Sequence, residues 1–130
     1  MKTGVRVAVV IAAVVVLATA LLAGRMAVMA GRLDAAYAAV AAVDLSRVAD
    51  GEYVAEFGDF LVRAEVAVSV RGGRITEVTV LRQECGPGYE AAAVPSRIVA
   101  AQNPLVDVVS GATGSSKSIM VAAHRALTGR

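Results

Sequence analysis

Ser110-Gly111-Ala112-Thr113-Gly114-Ser115-Ser116-Lys117-Ser118 places five hydroxyl side chains and two glycines within nine residues, and a segment with helical apolar spacing follows directly. Small residues leave backbone N–H groups uncovered. A helix N-terminus adds unpaired donors and partial positive charge. Together these features make a phosphate cradle. Two questions follow: which phosphate it would hold, and whether one of the hydroxyls reacts with it.

Two general readings of the stretch are available. The first is a Gly/Ser loop that only caps a helix. The second is a nucleotide P-loop, which needs a glycine immediately before its lysine. Here Ser116 precedes Lys117, and the strand ahead of the loop is very short, so the P-loop pattern fails. Other chemistries are excluded more simply. Cys85 is the lone cysteine and His124 the lone histidine, which rules out an internal disulfide and cannot build a heme or iron–sulfur site. No metal site is expected. Net charge is +2 with scattered basic residues, and aromatics are 4% with no Trp. That is neither the charge footprint nor the stacking platform of a nucleic-acid binder.

The elements that must position the loop can be read from the pattern. Hydrophobic residues make up 57% of the 130-residue chain, and the excess sits at the N-terminus. Val7 to Ala23 carries no charge, with Lys2 and Arg6 ahead of it. Extended through Ala30, with Arg25 snorkelling near one end, the run is long enough to span a bilayer. Residues 1–30 are therefore expected to be a transmembrane signal anchor. A cleaved signal peptide is the competing reading, with Ala18-Thr19-Ala20 as a cleavage site. Residues 31–49 are Ala-rich and read as a linker, either a short helix or an extended spacer. A domain is expected over 50–130, opening at the turn pair Asp50-Gly51.

Within that domain, Tyr53–Phe57 reads as a strand and Gly58-Asp59 as a bend. Val62, Ala64, Val66, Val68 and Val70 alternate with Arg63, Glu65, Ala67 and Ser69, the period of a strand with one buried face. Arg71-Gly72-Gly73 marks a turn, and Arg74–Leu81 supplies the return strand. Arg82–Tyr89 is expected to be a loop and Glu90–Ala93 a helical turn. A short helix then runs from Pro95 to Gln102. The last helix is expected to start among Ser115, Ser116 and Lys117, capped by a serine. Ile119, Ala122, Ala123, Ala126 and Leu127 form its apolar stripe, and His124, off that stripe, is expected to be solvated. The fold class that results is α+β: a small hairpin-based antiparallel sheet packed against helices, preceded by one transmembrane helix.

Asp107-Val108-Val109-Ser110-Gly111-Ala112-Thr113-Gly114-Ser115 resembles the D-x-x-[ST]-G-A-[ST]-x-[ST] motif of FMN-binding-domain proteins. The resemblance extends over residues 45–128. It takes in Asp50-Gly51-Glu52-Tyr53, the Val66–Val78 hairpin with Gly73 and Ile75, the Pro95, Ile98, Val99 and Gln102 spacing, Val106-Asp107, and Ser115-Ser116-Lys117 with Ile119. Many members carry a His and a Thr-Pro-Gly after the hairpin, where this chain has Arg82 and Gly86-Pro87-Gly88.

What the resemblance implies is specific. Thr113 would carry FMN through a phosphoester bond, donated from FAD by a separate flavin transferase. Ser110, Gly111, Ala112, Gly114, Ser115 and Ser116 would surround the phosphate, and Lys117 would either pair with it or point to water. Asp107 would belong to what the transferase recognises. Tyr89 is a candidate stacking group for the flavin ring, or ordinary surface. The protein would then be a membrane-anchored, extracytoplasmic electron carrier rather than a self-sufficient enzyme, exchanging electrons with membrane donor and acceptor proteins. Two rival functions are a module that holds flavin or another phosphate ligand non-covalently, and a flavin-free structural subunit of a membrane redox complex.

Overall fold

The computed structural model describes residues 2–59 and 61–129. The chain divides into two compact units, Met1–Arg32 and Leu33–Arg130. Helix α1, Lys2–Ala38, has 37 residues, none of them buried. At ~1.5 Å per residue it is about 55 Å long. It is the one helix among the described residues long and apolar enough to cross a membrane, a test that a signal sequence also passes. It continues through residues 31–38 of the expected linker, because Ala and Leu are good helix formers and no proline interrupts them. Its end tightens through Ala39 N–H to Ala36 O and Val40 N–H to Tyr37 O.

The rest of the expected linker is folded. A 3-10 turn at Leu45–Arg47 is capped by Asp44, whose Oδ1 accepts from Ser46 N–H at 3.1 Å and Ser46 Oγ at 2.6 Å. Tyr37, Val43, Leu45 and Val48 pack against the core of the second unit.

Three antiparallel strands form the sheet in the order β1-β2-β3: Gly51–Asp59, Val62–Arg71 and Arg74–Glu84. The expected bend at Gly58-Asp59 lies within β1. Gly58 takes φ +138, and a Cβ there would collide with Val62 O and Arg63 Cα across the ladder, so the close approach of β1 and β2 requires glycine. The β2–β3 turn uses Gly72 and Gly73 at φ 58 and 72, the geometry of a two-residue hairpin loop.

Strand β3 runs past Leu81 to Glu84 and carries two irregularities. Val70 pairs with Ile75 and Ser69 with Glu77, which leaves Thr76 as an extra residue. That bulge resets the alternation, so Ile75 and Val78, three apart, both reach the core.

Helix α2, Val94–Ala101, covers β3 and has Pro95 in its first turn. The residues before it are not helical: Ala91 sits at φ 52 in a turn closed by Val94 N–H to Ala91 O. Helix α3, Thr113–Thr128, covers β1 and β2. The core lies between the helices and the sheet face carrying Ala64, Val66, Val68 and Val70, joined by Val94, Ile98, Ile119, Met120, Ala122 and Ala123. The fold is the expected α+β arrangement.

Candidate functional site

The loop of interest is built from α3 backwards. α3 begins at Thr113, two residues earlier than the serines suggest, with Ala112 as its N-cap and no side chain capping it. The reason is the use made of Ser116. Its hydroxyl donates to Ala112 O at 2.7 Å and accepts from Val109 N–H at 2.9 Å. It is fully buried, so its single proton is spent inside the loop and it has none to offer a phosphate. Gly111, at φ +80, turns the chain, and Ala112 N–H closes the turn on Val109 O at 2.9 Å.

The N–H groups of Thr113, Gly114 and Ser115 form the first turn of α3 and have no helical acceptor. No atom lies within 4 Å of where a Cβ on Gly111 would stand, and a Cβ on Gly114 would meet only Val62 methyls at 3.9 Å. Thr113, Ser110, Gly111 and Asp107 are exposed, whereas Ala112, Ser115 and Ser116 are buried and Gly114 is half-buried. The loop therefore carries an exposed threonine, an exposed serine and first-turn N–H groups without helical acceptors. A phosphate group fits this donor set.

Lys117 is half-buried and paired. Its Nζ lies 2.9 Å from Asp34 Oδ1 and 4.9 Å from the centroid of the Tyr37 ring. Its charge is taken up by the last turns of α1. The Asp107 carboxylate is exposed, while its backbone carbonyl accepts from Arg97 Nη1 at 2.9 Å. His124 is half-buried and engaged with a partner, contrary to the solvated expectation. Beyond β3, Tyr89 is exposed in a turn closed by its N–H on Gly86 O, and its ring leaves little room at Gly86, where a Cβ would stand 3.0 Å from Cδ2. Among the described residues no cluster of His, Cys, Asp and Glu could hold a metal ion.

The model of the FMN-binding domain matches residues 62–128, just over half of the chain and the whole of this loop. The chain belongs to the FMN-binding domain family. No curated protein matches it. FMN is thus the cofactor that the family assignment supports, and an FMN-binding domain behind an apolar N-terminal helix fits a membrane-anchored flavin-binding protein.

Sequence reasoning missed Arg97, Asp34 and Tyr37. Arg97 looks like solvated surface in a short helix, and nothing in the sequence links Asp34 to Lys117 across 83 residues.

Proposed function

We propose that the protein is a membrane-anchored, extracytoplasmic electron carrier that holds FMN in a phosphoester bond to Thr113. The observation that supports this reading is the placement of Thr113: an exposed threonine at the first residue of α3, beside N–H groups without helical acceptors. A flavin transferase would join Thr113 Oγ1 to the FMN phosphorus of FAD. The Oγ1–P bond forms as the P–O bond to AMP breaks, the hydroxyl proton passes to a base on the transferase, and AMP leaves. The first-turn N–H groups and the dipole of α3 would then hold the phosphodiester charge.

Ser110 is a supporting donor in this reading. Asp107, whose carboxylate would repel the phosphate, is left exposed for the transferase to read through its metal ion. Tyr89 and the loop before it are the candidate surface for the flavin ring. Bound FMN would supply the redox chemistry while the protein holds and tunes it. One Cys and one His offer no heme or iron–sulfur site, and in this reading electrons come from and pass to partner proteins in the membrane. A covalent link suits a domain outside the cytoplasm, where a dissociated flavin is lost.

Co-expression with a flavin transferase is expected to yield a chain one FMN heavier by intact mass, with the flavin retained after denaturation. Thr113→Val is expected to abolish the main adduct and Ser110→Ala to leave some. A full adduct on Thr113→Val overturns the acceptor assignment. Flavin that leaves on denaturation favours the non-covalent module, and colourless protein from its native membrane favours the flavin-free subunit.

A further inference from the structure

The loop carrying Thr113 is held from both sides by groups outside it. On α2, Arg97 Nη1 donates to Asp107 O at 2.9 Å and to Val108 O at 3.1 Å. On α3, Ser116 Oγ accepts from Val109 N–H at 2.9 Å and donates to Ala112 O at 2.7 Å. The Val108 carbonyl and the Val109 N–H belong to one planar peptide unit. That plane is gripped at its oxygen by a guanidinium and at its nitrogen by a buried hydroxyl. The bonds run in one sense, from Arg97 through the peptide to Ser116 and on to Ala112, so each polarises the next. Ala112 is the N-cap of α3, and its carbonyl accepts from Ser116 twice, from the N–H at 2.9 Å and from the hydroxyl.

We propose that Arg97 and Ser116 are positioning residues for flavin attachment: together they clamp the Val108–Val109 peptide and so fix Ser110–Thr113 in the shape that presents the Thr113 hydroxyl. The proposal rests on the acceptor reading above. Ser110, Gly111 and Thr113 are exposed, and the turn from Ala112 to Val109 is the only hydrogen bond closed within 109–112. Without the clamp, only that turn and the first turn of α3 would set where Ser110 and Thr113 Oγ1 stand. A nucleophile displaced by about an ångström loses on the order of a hundredfold in rate.

The test uses the full chain as substrate for a flavin transferase with FAD and Mg²⁺, following intact mass at several chain concentrations. Arg97→Met keeps the aliphatic stem and removes the donors, and Arg97→Lys returns a donor. Arg97→Met is expected to cut turnover about tenfold or more while KM for the chain moves less than about twofold. Arg97→Lys should recover much of the loss. Combining Arg97→Met with Ser116→Ala should cost little more than the worse single change, because both break one relay. Independently of flavin, amide exchange at Val109 should quicken in Arg97→Met while amides of β2 keep their protection.

Turnover equal to wild type in Arg97→Met overturns the clamp. So does a loss matched by faster exchange throughout β2, or one that Arg97→Lys fails to rescue. If the wild-type chain itself takes up no flavin, the acceptor reading fails. If it takes up flavin and Arg97→Met does so equally fast, the clamp alone fails.

Discussion

Lys117 shows how a side chain's sequence neighbours mislead about its spatial ones. It stands among glycines and serines and reads either as a counter-charge for a bound phosphate or as a side chain in water. Its ammonium is instead 2.9 Å from Asp34, with the Tyr37 ring beneath it. The lysine side chain is 22% exposed but its partner is 67% exposed, so screening keeps the pair in the range of surface ion pairs, ~0–1 kcal/mol. Lys117→Met is therefore expected to lower unfolding free energy by less than about 1 kcal/mol in urea melts and to leave flavin loading of Thr113 intact by mass. A variant that folds normally yet loads poorly would return Lys117 to the phosphate. The hydroxyls were legible in the sequence as a group but not individually. α3 turns Ser116 inward while Ser110 lies in the turn ahead of the helix, and that division depends on α3 beginning at Thr113.

The hairpin elements were the most legible, because a period of two over Val62–Val70 admits one buried face only. The bulge at Thr76 was hidden, although the three-residue spacing of Ile75 and Val78 was its trace. Gln102 explains what the bulge permits. As the left-handed C-cap of α2, with φ 54, it sends its amide to the edge strand. Oε1 accepts from Ile75 N–H and Nε2 donates to Ile75 O, each at 2.8 Å. The side chain pairs with β3 as a strand residue would and fastens α2 to the sheet. Gln102→Ala leaves both groups of Ile75 unpaired in a part-buried place and is expected to cost about 1–3 kcal/mol. Gln102→Glu, which lacks the donor, should recover only part of that. Chemical denaturation of the three chains checks the order. If Ala and Gln are equally stable, Gln102 is no fastener.

At the scale of the whole chain, the apolar N-terminal helix was legible from Val7–Ala23 alone. The boundary of the second unit was not. Ala-rich sequence has no strong periodicity, so the packing of Tyr37, Val43, Leu45 and Val48 on the core left no pattern to read. These four half-buried side chains make a testable difference between two starting points. A chain beginning at Leu33 is expected to unfold cooperatively. One beginning at Asp50 gives up their burial and should be less stable by about 2–4 kcal/mol, counting each at a fraction of a fully buried apolar side chain. Equal midpoints and slopes in urea would mean that the segment contributes nothing to the fold.

The burial of the serines sets how faithfully a modifying enzyme can deliver its cargo. Written out, residues 110–118 advertise five hydroxyl addresses: Ser110, Thr113, Ser115, Ser116 and Ser118. Folded, the last three are closed, at 4%, 0% and 1% exposure, and a visitor from solvent meets two. Within this stretch misdelivery thus has one destination, Ser110, and a trace of label surviving there on Thr113→Val should map to Ser110 by peptide sequencing. A chain labelled before it folds has no such protection, so scatter over the three closed serines would record a modification made too early.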